Sequence, residues 1–495
     1  MSRAPLVVVG DALLDRDLDG RAGRLAPDAP VPVVDDPAER CRPGGAALAA
    51  TLAGRLDGRA VTLITALAGD EAGTALRELL ELAGVEVVDL GLAGSTPEKI
   101  RVRADGHSLL RLDRATRPGR AGPLGQAGRR ALAGAGAVLV ADYGRGVAAE
   151  PSVQAALAGL PRRRPLVWDP HPRGPAPVPG ARLATPNRAE AAGFAPEVEG
   201  DDLAAVTARA RLLAERWEAA GVAVTLGGRG ALLVEGAGAP MVMPATQAPG
   251  GDPCGAGDRF ATTAAGLLAD GALPSEAVAG AVAAATAFVT AGGATIVQVG
   301  PGTPEPHPPE HGAPEREGNP RPERMRAVVH SPPPLPTQVG SAMERAQALI
   351  AAVRARGGTV VATGGCFDLL HAGHVATLRS ARALGDCLVV CLNSDDSVRR
   401  LKGLERPLVP QADRVAVLEA LGCVDVVVPF DERTPEAVLQ RLRPDVFAKG
   451  GDYALADLPE AALLGTWGGQ AVVLPYLEGR STTQLMKEVV RRDSH

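Results

Sequence analysis

The sequence has few of the features that mark secreted or nucleic-acid-binding proteins. Aromatic residues make up only 2% of its 495 residues, and its six cysteines stand singly, without a C-x-x-C pair. Isolated thiols are typical of proteins kept in a reducing compartment rather than stapled by disulfides. The net charge of -5 shows no basic excess, which disfavours a dedicated nucleic-acid binder. We therefore expect a cytoplasmic protein without a nucleic-acid partner.

Long hydrophobic runs are also missing. Charges interrupt the apolar stretches well short of the roughly 20 residues that a membrane-spanning helix needs. The first residues, M-S-R-A-P-L-V-V-V-G-D, enter a strand pattern at once and lack the apolar core and cleavage site of a signal peptide. We expect neither a membrane partner nor a signal peptide. The chain has instead 46% hydrophobic residues and a length that predicts two or three domains.

Two regions of alternating strand and helix patterns flank a proline-rich segment. Up to about residue 300, apolar runs such as L-V-V-V-G and A-V-L-V-A-D alternate with amphipathic stretches, which predicts a parallel sheet covered on both faces. Residues 301–340 hold twelve of the 43 prolines and no periodicity, so they predict a linker. The alternation then resumes on a smaller scale. We predict α/β domains over 1–300 and 341–495, joined by a linker over 301–340.

The strongest local signal in the first domain is D-P-C-G-A-G-D-R-F at 252–260, followed by a helical pattern. The small residues Gly255, Ala256 and Gly257 let backbone N–H groups approach an anion at a helix N-terminus. Asp258 lies at the same turn, where it could accept the proton of a hydroxyl that attacks phosphorus. The alternative is an ordinary glycine-rich turn with an Asp cap.

Two further motifs favour a phosphate site over that alternative. G-G-A-A-L-A-A at 44–50 is another glycine pair that opens a helix, formed by Gly44 and Gly45. T-P-N-R-A-E at 185–190 places Asn187 and Glu190 one helical turn apart. Such a pair is suited to ordering a magnesium-bound phosphate through water.

Together these motifs resemble the ribokinase-like carbohydrate kinases. The resemblance implies a domain with a central, mostly parallel sheet and a small β lid, which binds ATP and Mg²⁺. It further implies that Asp258 is the catalytic base, that residues 255–257 form the anion hole, and that Asn187 and Glu190 hold magnesium indirectly through water. T-L-G-G-R-G at 225–230 looks like the turn that borders the nucleotide, with Gly228 in contact with it.

A narrower resemblance begins at the N-terminus. G-D-A-L-L-D-R-D-L-D-G-R-A-G-R-L-A-P-D-A-P-V-P-V-V at 10–34 is similar to the opening of heptose 7-phosphate kinases, and P-E-K-I-R-V-R and L-L-R-L-D are similar to their next strands. Acceptors such as Asp11 and Asp15 would bind sugar hydroxyls beside Gly44 and Gly45. A distal phosphate needs cations, for which the candidates are Arg24, Lys99, Arg101 and Arg111. For any one of these cations, a solvated strand face is the alternative.

The second domain contains T-G-G-C-F-D-L-L-H-A-G-H at 363–374, with two histidines three residues apart. A zinc site would need further ligands, and no Cys or His follows at a plausible spacing. Buried core histidines are the commoner alternative. Because His371 and His374 lie between a strand with a glycine turn and a helix, they are placed to donate to phosphate oxygens.

That arrangement resembles the cytidylyltransferase-like nucleotidyltransferases, whose H-x-G-H motif this sequence matches. Over 360–490 the order of motifs resembles heptose 1-phosphate adenylyltransferase domains, with a Rossmann-like fold. The resemblance implies catalytic roles for His371, His374 and Lys402. It implies nucleotide contacts from Gly365, Phe367, Asp368, Gly373, Arg406, Arg414, Lys449, Asp452, Ser481, Thr482 and Thr483.

The combined hypothesis is a bifunctional enzyme with two α/β domains. The first would phosphorylate heptose 7-phosphate at C1 with ATP. After a separate phosphatase removes the 7-phosphate, the second would join heptose 1-phosphate to AMP, giving ADP-heptose and pyrophosphate. Both steps would use Mg²⁺, and the resemblance implies a homodimer. The alternatives are the same two reactions on a different sugar phosphate or nucleotide, or a non-catalytic kinase-like module beside an active transferase.

Overall fold

The computed structural model describes residues 3–104, 107–117, 119–245, 251–297, 341–451 and 458–475. The predicted linker over 301–340 lies outside these residues, so the domain limits stay a prediction. Within the described part of the chain, no helix is long and apolar enough to cross a membrane.

The described secondary structure alternates between strands and helices on both sides of residues 301–340. The strands are β1 (Leu6–Gly10), β2 (Ala12–Leu25), β3 (Pro32–Gly45), β4 (Val61–Thr65), β5 (Glu86–Asp89), β6 (Leu92–Ala93), β7 (Glu98–Ala104), β8 (His107–Arg114), β9 (Arg120–Ala121), β10 (Ala137–Ala141), β11 (Leu166–Asp169), β12 (Leu183–Ala184), β13 (Gly221–Thr225), β14 (Ala231–Glu235), β15 (Met241–Met243), β16 (Val360–Gly365), β17 (Cys387–Asn393), β18 (Val426–Phe430), β19 (Val446–Gly450) and β20 (Gln470–Leu474). The helices are α1 (Ala46–Arg55), α2 (Glu71–Leu82), α3 (Gln126–Gly134), α4 (Pro151–Ala158), α5 (Arg188–Phe194), α6 (Leu203–Arg216), α7 (Ala256–Ala269), α8 (Pro274–Thr290), α9 (Ala342–Ala355), α10 (Ala372–Arg382), α11 (Asp395–Lys402), α12 (Gln411–Glu419), α13 (Glu436–Leu442) and α14 (Pro459–Gly465).

The first domain is built on a sheet in the order β5-β4-β1-β10-β11-β12-β13-β14-β15. Its strands pair in parallel from β5 to β13, and β14 and β15 add antiparallel partners. Strands β1 and β10 are buried along their whole length, because helices cover both faces of a sheet of this kind. The predicted mostly parallel sheet is confirmed.

A second, four-stranded sheet in the order β3-β2-β7-β8 forms the lid of the first domain. Strand β2 pairs in parallel with β7, so that Asp15 lies beside Lys99 and Asp17 beside Arg101. The C-terminal end of β3 brings the glycine pair back to β2, where Gly44 pairs with Leu13. The lid therefore carries most of the predicted sugar-binding side chains on two neighbouring strands.

The second domain is a five-stranded parallel sheet in the order β18-β17-β16-β19-β20. The chain moves outward from β16 to β17 and β18, then returns to the other side of β16 with β19. Such a reversal of strand order creates a crevice at the carboxyl ends of the strands, where doubly wound α/β folds bind ligands. The predicted Rossmann-like architecture is confirmed, and β16 leads directly to the two histidines.

The two sheets meet at their edges. Strand β15 pairs in parallel with β20 through Met241 and Val473, and the backbone N–H of Val473 donates to the carbonyl of Pro240 at 3.0 Å. The side chain of Gln470 also donates to the hydroxyl of Thr207 at 2.6 Å. The two α/β regions thus share one continuous fourteen-stranded sheet, which the sequence did not predict.

Candidate active sites

Asp258 lies in the first turn of α7 with its carboxyl group almost fully buried. The hydroxyl of Tyr143 donates to Asp258 Oδ1 at 2.6 Å. Burial raises the pKa of the Asp258 carboxyl to about 6; Tyr143 and the charge of Lys99 oppose this rise, and Asp15 adds to it. A carboxylate with this pKa is largely ionised at pH 7 yet basic enough to accept a proton.

A cavity of about 370 Å³ adjoins the start of α7. Its walls include the predicted Gly228, Ala256 and Gly257, together with the turn over 227–230 and the face of α8. The sequence analysis missed its apolar lining, formed by Phe260, Val282, Ala285 and Val289. An apolar slot that ends at a helix N-terminus is shaped for a planar base with phosphates attached. The amide of Ala256 already donates to the carbonyl of Pro253 at 3.1 Å.

Asn187 and Glu190 form a reciprocal cap at the start of α5. Asn187 Oδ1 accepts from the Glu190 N–H at 2.9 Å, and Glu190 Oε2 accepts from the Asn187 N–H at 2.8 Å. Burial raises the pKa of the Glu190 carboxyl. Among the described residues, no cluster of three or more His, Cys, Asp or Glu side chains is arranged to hold a metal ion. The indirect magnesium contact of Asn187 and Glu190 stays a prediction.

Two carboxylates that the sequence analysis did not select lie at the ends of neighbouring strands. Asp169 ends β11 and accepts from the Thr185 hydroxyl at 2.8 Å; burial, and then the charges of Asp258 and Glu190, raise its pKa well above the usual range. Asp142 follows β10, and burial raises its pKa to about 7. Their position after apolar strands was visible in A-V-L-V-A-D and L-V-W-D, because the carboxyl ends of parallel strands meet at one edge.

The carboxylate of Asp11 holds a backbone loop. Its two oxygens accept from the N–H groups of Tyr143 at 3.2 Å, Arg145 at 2.9 Å and Val147 at 2.9 Å. The side chain is 4% exposed. With both oxygens engaged in this way, Asp11 is positioned to organise the loop over 143–147 rather than to bind the predicted sugar hydroxyls.

Asp15, by contrast, faces the lid cations that were predicted with it. Arg101 Nη1 donates to Asp15 Oδ1 at 2.8 Å, and Lys99 Nζ lies 5.6 Å from the centre of the Tyr143 ring. A Cβ on Gly44 would come within 2.7 Å of Asp15 Oδ2, so the glycine pair permits the close packing of β3 on this carboxylate. The structure therefore brings Asp15, Lys99, Arg101 and Gly44 together near Asp258.

Arg24 and Arg111 occupy more exposed positions in the lid. Arg24 lies nine residues beyond Asp15 on β2, roughly 30 Å along the strand, and pairs with Asp35. Arg111 lies opposite Arg101 on β8 and forms two bonds to Asp113 at 2.8 and 2.7 Å. For these two residues the geometry favours the solvated strand face that was the alternative. Arg42, not selected from the sequence, pairs with Asp17 at 2.9 Å and lies 3.8 Å from Asp15.

In the second domain, His371 caps α10 and His374 lies in the first turn of that helix. His371 Nδ1 accepts from the Gly373 N–H at 3.1 Å, which leaves the proton on Nε2 as a donor. The two imidazole rings are 4.0 Å apart between centres. Burial, and then the neighbouring His371 and Lys402, lower the pKa of His374 to about 4. The two histidines thus form a polar surface at the N-terminus of α10.

Gly365 and Phe367 precede the histidines, and Phe367 packs beside His374. Phe367 adopts a φ of 44° and is largely buried, with its ring 5.5 Å from that of His374. A Cβ on Gly365 would lie 3.1 Å from the Phe367 ring. Gly373 is buried at the second position of α10. Phe367 therefore fixes the ring of His374 and is packed in the core.

Asp368 and Arg414 are engaged inside the protein. Asp368 pairs with Arg406 and also accepts from the N–H groups of Leu408 and Val409 at 2.7 and 2.9 Å. Arg414, 2% exposed, donates to the carbonyls of Cys366 and Asn393 at 2.6 and 2.8 Å and pairs with Asp395 at 2.7 Å. These bonds favour a role in shaping the site over the predicted contact with the nucleotide.

Two of the predicted lysines border the crevice. The charge of Lys402, at the end of α11, acts on both His374 and Cys366. Lys449 is the last residue but one of β19 and pairs with the buried Glu460 at 3.3 Å. The remaining predicted contacts, Asp452, Ser481, Thr482 and Thr483, lie outside the described residues and stay predictions.

Comparison with known proteins agrees with this division of the chain. Residues 131–299 match the pfkB family of carbohydrate kinases, and residues 362–470 match the cytidylyltransferase-like family. The predicted carbohydrate kinase and nucleotidyltransferase are confirmed at this level.

Relatives that carry both regions match almost the whole chain. The bifunctional protein HldE of Streptomyces coelicolor is 57% identical over 486 residues, which cover 98% of this chain and 96% of that protein. The bifunctional protein HldE of Halorhodospira halophila is 39% identical, over 98% of this chain and 97% of its own. That of Caulobacter vibrioides is 37% identical, over 97% and 96%.

Proposed function

The chain belongs to the family of bifunctional HldE proteins, and we propose from this membership that it makes ADP-heptose in two steps. The first step transfers the γ-phosphoryl group of ATP to the C1 hydroxyl of heptose 7-phosphate. The second joins heptose 1-phosphate to AMP and releases pyrophosphate, after another enzyme has removed the 7-phosphate. The two steps fall in the domains predicted over 1–300 and 341–495.

In the first step, Asp258 accepts the proton of the C1 hydroxyl as its oxygen attacks phosphorus. The base is available at neutral pH because its pKa is about 6. The cavity beside α7 receives ATP, so that the γ-phosphoryl group lies at the helix N-terminus. Magnesium, when bound, would neutralise phosphate charge. Asn187 and Glu190, which cap α5, are the residues that would hold it indirectly through water.

The lid residues bind the sugar phosphate in this proposal. Asp15 accepts from sugar hydroxyls while Lys99 and Arg101 offer the cations that a second, distal phosphate requires. Arg101 is held by Asp15 at 2.8 Å, so its guanidinium is already oriented before the substrate arrives. This preorganisation reduces the entropy lost on binding.

In the second step the sugar phosphate is itself the nucleophile, so no catalytic base is needed. An oxygen of heptose 1-phosphate attacks the α-phosphorus of ATP, and pyrophosphate leaves. His371, His374 and Lys402 donate to phosphate oxygens as negative charge develops. The neutral His374 acts as a hydrogen-bond donor rather than as a cation, since its pKa is about 4 in the free protein.

The cellular setting follows from the cysteines and the substrates. All six cysteines lie within the described residues and none forms a disulfide, which supports a reducing cytoplasm. The partners in this proposal are ATP and sugar phosphates. The homodimer implied by the sequence resemblance stays a prediction.

The observation that carries the kinase proposal is the buried Asp258 beside the cavity that ends at α7. It is tested by incubating the whole chain with ATP, Mg²⁺ and a panel of sugar phosphates, and identifying the products by mass. We expect heptose 7-phosphate to gain one phosphoryl group in the unaltered protein and not in Asp258→Asn. Phosphorylation of another sugar phosphate but not of heptose 7-phosphate would retire the heptose assignment.

A further inference from the structure

The loop that follows β10 has the sequence D-Y-G-R-G-V over 142–147 and reaches into the kinase site. Gly144 and Gly146 adopt φ values of 65° and 120°, which bend the chain so that several N–H groups point to one side. The carboxylate of Asp11 accepts hydrogen bonds from the N–H groups of Tyr143, Arg145 and Val147. The loop is therefore fixed to the end of β1 by three charge-assisted hydrogen bonds.

The loop places the side chain of Tyr143 against Asp258, the proposed base. Its hydroxyl donates to Asp258 Oδ1 at 2.6 Å, and Lys99 Nζ lies 5.6 Å from the centre of its ring. The tyrosine is thus held by its backbone, its ring and its hydroxyl at once. No other motif or contact assigned to the first reaction uses it.

We infer that Tyr143 is a positioning residue for phosphoryl transfer, which orients Asp258 by a hydrogen bond to Oδ1 and leaves Oδ2 to face the sugar hydroxyl. The inference rests on the proposed kinase function and adds a residue to it. A carboxylate on a short side chain can rotate between several orientations, and only some present a lone pair to the attacking hydroxyl. Holding one oxygen removes that freedom before the substrate binds.

Asp11 takes part in this arrangement through the backbone. The carboxylate oxygens of Asp11 hold the loop over 143–147 in place. The loop in turn fixes the position of the Tyr143 ring and hence that of its hydroxyl. The line of contacts runs from Asp11 through the loop to Tyr143 and then to Asp258. This assignment differs from the sequence-based one, in which Asp11 binds the sugar directly, and the two make different kinetic predictions.

Four groups face the carboxyl of Asp258. The Tyr143 hydroxyl and the Lys99 ammonium stabilise the ionised form, whereas Asp15 disfavours it. Asp169 is near enough for the two carboxylates to act on one another. Removing the tyrosine hydroxyl leaves only the lysine, together with a backbone hydrogen bond, to stabilise the ionised carboxylate, so the pKa of Asp258 should rise. A residue with a merely structural role would not move this pKa.

The test replaces Tyr143 with phenylalanine, which keeps the ring and removes the hydroxyl. We expect kcat for phosphorylation of heptose 7-phosphate to fall about 10- to 100-fold, with little change in the KM for ATP. The acid limb of the kcat/KM profile, which reports the pKa of Asp258 in the free protein, should move up by about one pH unit, the size expected for one lost hydrogen bond to a carboxylate. Adenylyl transfer to heptose 1-phosphate by the same protein should be unchanged and reports that the chain is folded.

A second variant, Asp11→Asn, separates the two roles of Asp11. Asparagine keeps one acceptor oxygen but loses the other, so the loop loosens. If Asp11 acts through the loop, kcat falls and the acid limb rises as in Tyr143→Phe, while the KM for heptose 7-phosphate changes little. If Asp11 binds the sugar, that KM rises and the acid limb stays in place.

The inference is overturned if Tyr143→Phe leaves the acid limb of the kcat/KM profile where it is in the unaltered protein. It is also overturned if the variant changes only the KM for the sugar phosphate, because Tyr143 would then contact substrate. If the unaltered protein phosphorylates no sugar phosphate, the proposed function fails and the inference fails with it. These outcomes are distinguished by the unaltered protein measured in parallel.

Discussion

Gly255 is the residue on which the geometry of the kinase site depends most directly. It adopts a φ of 79°, a left-handed conformation that glycine tolerates and other residues rarely do. A Cβ at this position would come within 2.9 Å of Leu48 Cδ2 and 3.4 Å of the Phe288 ring. The turn that presents Asp258 and the start of α7 is therefore closed to side chains at this point.

The Gly255→Ala variant should lose kinase activity because it strains this turn. We expect kcat for phosphoryl transfer to fall about 100-fold, since small misplacements of reacting groups have effects of this size. Adenylyl transfer should be retained. Gly134→Ala, at the end of α3 with open space around the new Cβ and no positive φ, is the matched control and should keep both activities. Equal kinase rates in the two variants would contradict this account of the turn.

His374 gives a second prediction at this scale. Burial and two basic neighbours lower its pKa to about 4, so its imidazole should stay neutral from pH 8 to 5.5. The measurement is an NMR titration of ¹³C-labelled histidines in the free protein, with His374→Gln to assign the signal. A midpoint near 6.5, the usual histidine value, would show that His374 is not buried in this way.

Single residues were predicted from the sequence where the local motif fixes the surroundings. Asp258 and His374 lie in the first turns of helices, and His371 caps one of them; the glycine-rich approaches to both helices can be read in the sequence. Tyr143 was missed because its role depends on contacts with residues 132 and 115 positions away along the chain. Nothing in D-Y-G-R-G shows that its hydroxyl meets Asp258.

At the scale of elements, Arg414 connects three parts of the transferase site. From α12 it donates to the loop after β16 through Cys366, to the end of β17 through Asn393, and to α11 through Asp395. One guanidinium with several donors can hold the loop after β16, the end of β17 and the start of α11 in fixed relative positions. The walls of the crevice therefore depend on this arginine even without a contact to nucleotide.

Arg414→Ala should damage the second domain and spare the first reaction. Buried carbonyls and Asp395 would lose their partner, at a cost of about 3 kcal/mol in the free energy of unfolding. We expect adenylyl transfer to fall at least about tenfold with kinase kcat retained. Arg399→Ala is the control, because its exposed pair with Asp396 contributes at most about 0.5 kcal/mol. Unchanged stability and activity in Arg414→Ala would contradict the role given to it.

Most elements could be predicted because their signals are local. The apolar runs at 6–10, 61–65, 137–141 and 387–393 became buried strands. The spacing of Asn187 and Glu190 was also seen, but the reciprocal cap that they form was not, since the same pair of side chains suits a helix start or a magnesium-bound water. Local sequence could not decide between these roles because both require the same one-turn separation.

At the scale of the whole molecule, the two domains are joined through a shared sheet. The edge strands β15 and β20 supply unpaired backbone groups that stabilise one another when paired, with Met241 opposite Val473. The sequence showed two α/β regions and a proline-rich segment between them. The sequence could not show this pairing, because the residues of an edge strand do not indicate which other strand it will pair with.

A disulfide tests this arrangement. The variant Met241→Cys/Val473→Cys places two thiols on paired residues, within the separation that a disulfide requires. We expect mild oxidation to link peptides containing positions 241 and 473, detected by mass spectrometry, with no such link in either single variant. Failure of the pair to form under conditions that oxidise exposed thiols would contradict the continuous sheet.

The central claim is that one chain holds two separate nucleotide sites, built around Asp258 and His374. The most direct measurement compares both reaction rates in the unaltered protein, in Asp258→Asn and in His374→Ala. We predict that Asp258→Asn abolishes ADP formation with heptose 7-phosphate but releases pyrophosphate normally with heptose 1-phosphate, and that His374→Ala does the reverse. Loss of both activities in either folded variant would contradict the account.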